Sequence, residues 1–273
     1  MRSRSKDGVS RARRMKQDRV FDGLANRFQR QIYDDPRGMI RLAILQDDLM
    51  SSIVPATPQR RPLRVLDAGG GLGQMSIWLA QHGHSVVLAE PSAEMLHRAQ
   101  ATIAEECLQD SIELVQATVQ ELVESGCEPF DFITFHAVME WLAEPRVVLE
   151  QLLTCLKPGG QVSLMFFNYH STVMRRLIAG DLATVQAGDI ASDGRKGLAP
   201  ISPLKPDEVL SWLEPLGLEL ETWSGVRCFY DYMYRDVRRS AVLDEVLPLE
   251  RAYSQQEPWR SLARYQHMLC RKR

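Results

Sequence analysis

The sequence predicts an α/β protein with a mainly parallel sheet and helices on both faces. From residue 63 onward, short apolar runs typical of strands alternate with segments of helical apolar spacing, and this alternation is characteristic of parallel sheets. The first run leads into a glycine turn at residues 67–73, Asp-Ala-Gly-Gly-Gly-Leu-Gly, which precedes a helical segment. A strand that ends in such a turn and opens a helix is typical of nucleotide- and nucleoside-binding α/β folds.

The length and composition are those of a globular protein without a membrane segment. The chain has 273 residues, of which 45% are hydrophobic and 25% charged, enough for one large domain, or for one domain with a small accessory piece. No apolar run approaches the length of a membrane span, and the basic N-terminus is not followed by the apolar stretch of a secretory signal. The five cysteines are widely spaced and form no C-x-x-C pair, so neither a metal site nor a disulfide framework is predicted, and a cytoplasmic location is expected.

The N-terminal region is predicted to consist of a basic tail and two helices. Residues 1–16 hold seven Lys or Arg and one Asp, a net charge of +6, and should be disordered. This tail is either passive or lies upstream of a start at Met15. Residues 17–60 form a helical segment, with apolar periodicity over 21–54 broken at 34–38. Since the whole chain carries −2, the rest carries −8, and any nucleic-acid binding would need a local basic patch.

Residues 61–273 are predicted to form the main domain, with seven strands and two insertions. A turn is expected at residues 157–160 and helices at 74–82, 92–107, 144–156 and 206–216. The insertions, 169–204 and 225–262, are long for connections and are expected to cover or form the active site. The predicted strands are 63–67, 84–90, 112–116, 130–136, 161–168, 218–223 and 264–271.

The glycine turn indicates a nucleoside ligand without phosphates. Gln74 stands where the dinucleotide fingerprint has its third glycine, so a pyrophosphate site is not indicated. Glu90 ends the second strand about 20 residues after the turn, where a carboxylate can accept hydrogen bonds from both hydroxyls of a ribose. S-adenosylmethionine is the commonest ligand that fits. The alternative is an ordinary tight connection between strand and helix.

Other candidate residues follow the C-terminal ends of the predicted strands, where parallel sheets bind their ligands. Val119 and Gln120 could meet an adenine edge, or lie in a solvent-facing loop. His136 ends the fourth strand and is expected to line the site. No nucleophile–base pair is recognised, and methyl transfer to an anion needs none. Each candidate for an anionic substrate is, taken alone, an ordinary surface charge; the candidates are Arg175, Arg176, Arg195, Lys196, Lys205 and Arg227.

Four segments, 65–71, 135–141, 156–160 and 163–168, resemble the class I S-adenosylmethionine-dependent methyltransferases. Residues 135–141, Phe-His-Ala-Val-Met-Glu-Trp, and 185–188, Val-Gln-Ala-Gly, more narrowly resemble the bacterial family that methylates 5-carboxymethoxyuridine in tRNA. The similarity runs from about residue 17 to the end. It implies a Rossmann-like seven-stranded sheet, the anticodon loop of tRNA as partner, and a methyl ester formed on the wobble-uridine carboxylate. The cofactor contacts it implies are Arg41, Gly69, Gly70, Glu90, Val119, Gln120 and His136.

Two other functions remain open at this point. A small-molecule methyltransferase of the same fold would suit the acidic body of the chain, since an acidic surface does not favour nucleic acid. A module that binds a partner without catalysis is the second alternative, and the intact glycine turn with Glu90 speaks against it. Tentative substrate contacts within the resemblance are Arg175, Arg176, Arg195, Lys196 and Arg227.

Overall fold

A computed structural model describes residue 18 and residues 35–54, 61–191 and 200–273. Seven strands form one sheet in the order β3-β2-β1-β4-β5-β7-β6. Strands β1 to β5 are parallel, and β7 runs antiparallel to both β5 and β6. This confirms the predicted fold class. The strands are β1 Arg64–Ala68, β2 Ser85–Ala89, β3 Ile112–Val115, β4 Phe130–His136, β5 Leu156–Phe167, β6 Leu218–Val226 and β7 Tyr265–Lys272.

Helices cover both faces of this sheet. Successive β1 residues enter different clusters: Val65 packs with the helices Pro36–Ile53 and Gln74–Gln81, and Leu66 packs with Pro145–Leu152 and Pro206–Leu213. Short 3-10 turns lie at Met139–Trp141, Leu153–Cys155 and Tyr230–Tyr232. The helices are α1 Pro36–Ile53, α2 Gln74–Gln81, α3 Ala93–Glu105, α4 Val119–Glu124, α5 Pro145–Leu152, α6 Tyr169–Ile178, α7 Leu182–Ala187, α8 Pro206–Leu213, α9 Arg235–Ser240, α10 Leu243–Tyr253 and α11 Trp259–Leu262.

Within the N-terminal segment, the structure describes Asp18 and the helix α1 with its flanking residues. Asp35 caps this helix, and its side chain accepts a hydrogen bond from the backbone N–H of Arg37 at 2.9 Å. The helix therefore begins inside the predicted break at 34–38, because a proline at its first position suits a helix start. The predicted basic tail and first helix lie outside the described residues.

Two local predictions are wrong. The expected turn at 157–160 belongs to β5: Leu156 pairs with Phe130 and Gln161 with Phe132, so the residues between bulge out of a continuous ladder. Helices α6, α7 and α11 lie in the predicted insertions and were not predicted. Helix α4 was not predicted either, because six residues are too few to show a period. Its start carries a readable signal, since Thr118 and Glu121 form a reciprocal capping box.

The cysteine prediction is also wrong, because Cys127 and Cys155 form a disulfide. Cys127 lies just before β4 and Cys155 just before β5, and these neighbouring strands pair at their first residues. Pairing of the strands thus brings together two cysteines 28 residues apart in sequence. Among the described residues, no cluster of His, Cys, Asp or Glu could hold a metal ion, and no helix is long and apolar enough to cross a membrane.

Candidate cofactor and substrate site

One cleft opens at the edge of the sheet where β1, β2 and β4 end. Its walls come from the glycine turn, from the loops after β2, β3 and β4, and from the first half of α1. This is the edge at which open parallel sheets bind ligands. The structure brings to this cleft every cofactor contact that the resemblance implies, namely Arg41, Gly69, Gly70, Glu90, Val119, Gln120 and His136.

The glycine turn is shaped by its own packing. The backbone N–H groups of Gly69 and Gly70 donate to the carbonyl of Ala89 at 2.7 and 3.2 Å. Gly69 has a φ of +75°, and a Cβ there would run into Val138. A Cβ at Gly70 would lie 2.7 Å from Oδ2 of Asp67. Substitution of either glycine would therefore strain the fold even without a ligand, so it cannot test ligand approach by itself.

Asp67 joins the turn to its neighbours. It is 3% exposed, and it accepts hydrogen bonds from the hydroxyls of Ser76 at 2.6 Å and Thr134 at 2.7 Å. Burial raises the pKa of this carboxyl, although both hydroxyls act in the opposite direction. Asp67 thus ties the end of β1 to α2 and to β4, and keeps the floor of the cleft in place.

Glu90 stands beside the glycine turn with its carboxylate held by the backbone. It is 6% exposed, and it accepts hydrogen bonds from the N–H groups of Gly71 at 3.1 Å and Ser92 at 3.0 Å. A carboxylate offers about four lone-pair sites, so these two bonds orient it without exhausting it. Its place at the cleft is the one that the ribose hypothesis requires.

A residue from the N-terminal segment closes one side of the cleft. Asp18 accepts hydrogen bonds from the Gln120 side chain and from the backbone N–H of Ala143, both at 2.7 Å. Val119 and Gln120 begin α4 and line the cleft. The alternative of a solvent-facing loop is therefore wrong. No role was predicted for Asp18, because nothing in its local sequence shows that it contacts Gln120, which lies 102 positions further along the chain.

His136 begins a row of hydrogen bonds that leads away from the cleft. Its Nε2 lies 2.6 Å from Oγ of Ser163, which lies 2.8 Å from Nε2 of His267. Nδ1 of His267 lies 2.6 Å from Oδ2 of Asp48. Residues from α1, β5 and β7 thus form a Ser–His–Asp arrangement that was not predicted, because its members are remote from one another in the chain. Burial, helped by His267 and Arg41, lowers the pKa of His136 well below 6.5.

An arginine cluster lies at the same edge of the sheet, beyond β5. Arg227, a candidate substrate contact, is 7% exposed, and its Nε lies 2.7 Å from Oδ2 of the buried Asp231. Arg264 packs its guanidinium 4.1 Å from the ring centre of Phe167, and burial lowers its pKa to about 10. Both follow from topology, since Tyr265 at the start of β7 pairs with the last residues of β5 and β6.

Asp231 is surrounded by more positive charge than it can neutralise. Burial raises its pKa, but the charges of Arg227, Arg264, Arg175 and Arg37 outweigh burial and leave the pKa below its usual value. Arg37 also pairs with Asp35 at 3.3 Å. The arginines Arg175, Arg227 and Arg264 outnumber Asp231 and the nearby buried Glu250, so the end of β5 carries net positive charge, which favours an anion.

The other basic candidates are not part of this cluster. Arg176 pairs with Asp181 at 2.7 Å on the surface. Lys205 lies in a neighbouring groove, with its Nζ 5.2 Å from the ring centre of Tyr169. Arg195 and Lys196 lie outside the described residues. The structure thus separates the adjacent Arg175 and Arg176, which the sequence could not distinguish.

Comparison with known proteins identifies the family. A model described as a methyltransferase domain matches residues 42–222. The tRNA 5-carboxymethoxyuridine methyltransferase of Escherichia coli (strain K12) is 40% identical over 256 residues, which are 94% of this chain and 97% of that protein. The chain belongs to the methyltransferase family.

Other members of the methyltransferase family match less of the chain or match at lower identity. The ubiquinone biosynthesis O-methyltransferase of Xylella fastidiosa (strain 9a5c) is 31% identical over 66% of this chain and 69% of its own length. Magnesium protoporphyrin IX methyltransferase from Synechocystis PCC 6803, solved with bound SAH, has a TM-score of 0.57 at 14% identity and covers 96% of this chain and 92% of its own. At that identity the structural likeness shows the fold alone.

A further buried carboxyl group of this methyltransferase, that of Glu140, had no predicted role. Glu140 is 1% exposed, and its Oε2 has no hydrogen-bond partner in the part of the chain that the structure describes. Burial raises its pKa to about 8, against a smaller opposing effect of Arg41. At neutral pH this carboxyl is therefore protonated and uncharged, which limits the negative charge close to Arg41.

Backbone conformation marks both parts of the site. Ala137, directly after His136, and Arg227, directly after β6, have φ values of 56° and 63°. Residues other than glycine seldom adopt this left-handed region, and those that do are enriched at functional sites. Cys107, with a φ of 57°, also adopts it but is exposed and does not line the cleft. Neither conformation was predictable from the sequence, because alanine and arginine are not typical of positive φ.

Proposed function

We propose that this methyltransferase uses S-adenosylmethionine to methylate the carboxylate of 5-carboxymethoxyuridine at the wobble position of tRNA, forming the methyl ester. The observation that carries the proposal is the 40% identity to the E. coli tRNA 5-carboxymethoxyuridine methyltransferase, which extends over 94% of this chain and 97% of that protein. The ubiquinone biosynthesis relative matches over 66% of this chain, so the long match includes regions beyond a shared methyltransferase core.

The composition of the cleft supports S-adenosylmethionine. Among the described residues that line it, Arg41 is the single lysine or arginine, so a dinucleotide would find little charge to hold its pyrophosphate. Arg41 would instead pair with the carboxylate of the cofactor's amino-acid end, and Glu90 would accept hydrogen bonds from the ribose hydroxyls. Val119 and Gln120 would meet the adenine, beside the turn formed by Gly69 and Gly70. Bound S-adenosylmethionine supplies an electrophilic methyl group on a sulfonium.

The arginine cluster supports an anionic methyl acceptor. Arg175 and Arg227, with Arg264 beside them, would hold the carboxylate of the modified uridine, since guanidinium groups bind carboxylates in bidentate fashion. The acceptor is already ionised at neutral pH, so the protein needs to position it and to exclude water rather than remove a proton. Arg176 would contact the anticodon loop outside the cluster. Arg195 and Lys196, in the insertion at 169–204, would contact the same loop.

The proposed partner also bears on location and organisation. A tRNA substrate suits a cytoplasmic enzyme. We assign the cofactor and the sheet to a methyltransferase domain at residues 61–273, and tRNA contacts to its insertions, 169–204 and 225–262. The helical segment 17–60 would complete the cleft through Asp18 and Arg41, while the basic tail 1–16 would add nonspecific attraction.

A small-molecule methyltransferase is the second candidate. The charge of −8 outside the first 16 residues favours it, because an acidic surface repels nucleic acid at long range. Under this alternative the arginine cluster would hold a free organic acid. The two candidates share the cofactor and differ in the acceptor.

The acceptor is tested by transferring a radiolabelled methyl group from S-adenosylmethionine to tRNA from cells that lack this protein. We expect label in the wobble nucleoside and its release by mild alkali, because esters hydrolyse there while methylated ring atoms and ribose oxygens do not. Label that survives alkali would contradict carboxylate methylation. Transfer to small acids but not to tRNA would favour the second candidate.

A further inference from the structure

Four side chains form a buried row that ends at the cofactor cleft. The row runs from Asp48 on α1 through His267 on β7 and Ser163 on β5 to His136 on β4, with successive separations of 2.6, 2.8 and 2.6 Å. Ser163 and His267 are fully buried, and the Asp48 side chain is 6% exposed. Each inner member therefore finds its hydrogen-bond partner within the row and not in water.

The charge of Asp48 gives the row a direction. An ionised Asp48 can only accept, so Nδ1 of His267 carries the hydrogen between them. A His267 ring that carries this hydrogen alone has an accepting Nε2, and the hydroxyl of Ser163 then donates to it. The hydrogen of Ser163 is thereby used, so its oxygen accepts from Nε2–H of His136. This sequence of donors leaves Nδ1 of His136 without a hydrogen.

We propose that Asp48, His267 and Ser163 are positioning residues that hold His136 in the tautomer with a hydrogen on Nε2, so that its Nδ1 accepts a hydrogen bond from the ammonium group of the cofactor's amino-acid end. This inference rests on the proposed cofactor. His136 would thereby complement Arg41, which meets the carboxylate of the same end. Together the two side chains would select an amino-acid group over a simple alkyl chain.

Helix α1 connects the two contacts. Arg41 lines the cleft and Asp48 anchors the row, and seven residues are close to two helical turns, so both side chains lie on one face of α1. The lowered pKa of His136 keeps its ring neutral, which an acceptor requires. A cationic imidazole beside an ammonium group would instead repel it.

The row is not a nucleophilic site, although it has the residue types of one. Ser163 is fully buried, so an acceptor cannot reach its oxygen. The same oxygen contacts both His136 and His267, which leaves it no position for a reacting atom. Orientation of His136 is the role that this geometry favours, much as a buried aspartate orients the histidine of a hydrolase triad.

The test is nitrogen-15 NMR of the histidine rings in the full-length protein without ligand. We expect His136 to show an unprotonated Nδ1 and a protonated Nε2. Ser163→Ala should remove this preference and give a mixture of tautomers. Asp48→Asn can donate to His267 and should shift His136 toward Nδ1–H, although residue 48 does not contact residue 136. Ser224→Ala is the matched control, because Ser224 is equally buried and donates to the other oxygen of Asp48 at 2.9 Å, off the row.

Binding of S-adenosylhomocysteine, measured by calorimetry, supplies the second readout. We expect roughly tenfold or greater weakening in Ser163→Ala and Asp48→Asn, the scale of a lost hydrogen bond to a charged group, and little change in Ser224→Ala. A protonated Nδ1 in the wild type, or one tautomer shared by folded wild type and both variants, would overturn the inference. Failure of the wild type to bind S-adenosylhomocysteine would instead overturn the proposed cofactor, whatever the NMR shows.

Discussion

The cofactor cleft and the arginine cluster lie at one edge of the sheet but are assembled differently. In the cleft, Glu90 takes its bonds from Gly71 and Ser92, 19 and 2 residues away. In the cluster, Asp231 lies within the charges of Arg37, Arg175 and Arg264, which come from α1, α6 and the start of β7. The glycine turn and Glu90 are therefore products of consecutive strand–turn–helix units, to which the N-terminal segment adds Asp18 and Arg41. The cluster, by contrast, exists only once the insertions have packed against β5.

This difference predicts opposite responses to mutation. Local turns should tolerate changes in remote elements, so variants in the cluster should leave cofactor affinity unchanged. The cluster balances one carboxylate against several arginines, so loss of that carboxylate should disturb the fold itself.

Asp231→Asn should have the largest effect. Removing the carboxylate leaves buried arginines uncompensated, which costs about 3–5 kcal/mol of unfolding free energy, measurable by urea denaturation. Since the folded pKa of Asp231 is lowered, its contribution is complete above the unfolded pKa of about 4 and disappears as the pH falls through the folded value. The wild type should therefore lose more stability than the variant on acidification below about pH 4.

The control for this prediction is Asp181→Asn. Asp181 also pairs with an arginine, but the pair lies at the surface and is screened by solvent. It should leave the unfolding free energy nearly unchanged. Equal stability of the two variants would contradict the view that the cluster supports the fold.

Glu90→Gln should weaken cofactor binding, and it should also lower stability because its amide NH2 would face the N–H of Gly71 or of Ser92. The neutral amide replaces a carboxylate that would accept from the ribose, and such bonds contribute about 1.5–3 kcal/mol, or roughly 10–150-fold in affinity. Calorimetry with S-adenosylhomocysteine measures this directly. Glu90→Asp keeps the charge and should bind more tightly than Glu90→Gln; the reverse order would argue against a ribose contact.

Arg175→Ala and Arg176→Ala should change the KM for tRNA by different amounts. Arg175→Ala should raise KM for tRNA by about tenfold, the scale of one charge-assisted bond, because its charge reaches Asp231 and Arg264. Arg176→Ala should have a smaller effect that disappears at high salt, since its site is exposed. Neither should change the affinity for S-adenosylhomocysteine, and a matching loss of cofactor binding would show that cleft and cluster are one unit.

Deletion of residues 1–15 should have the smallest effect. Their charge could add only sequence-independent attraction to tRNA, which falls steeply with salt. The turnover number at saturating tRNA should be unchanged, and KM should rise at low salt only. A large loss of turnover would show that the tail takes part in the reaction.

Features built from residues close together in the chain were predicted from the sequence, and most features built from remote residues were not. The glycine turn, Glu90 and the strand that ends at His136 were predicted from residues near one another, because strand period, turn chemistry and ligand distance are all local. Helix α4 was missed, although its capping box was readable. The disulfide, the row from Asp48 to His136 and the role of Arg264 were not predictable, because their members are brought together by strand pairing.

Sequence alone determined the fold class, the cleft edge and the glycine turn with Glu90, whereas Arg41 was implied only by the family resemblance. The sequence did so because alternating strands and helices leave few topologies, and each topology places its loops at a defined edge. Tertiary structure decided which charges are buried, which arginine of an adjacent pair faces inward, and which nitrogen of His136 is engaged. These properties depend on the distance and shielding between residues remote in the chain. Burial in particular strengthens the interaction of Arg227 with Asp231, because water no longer screens the two charges.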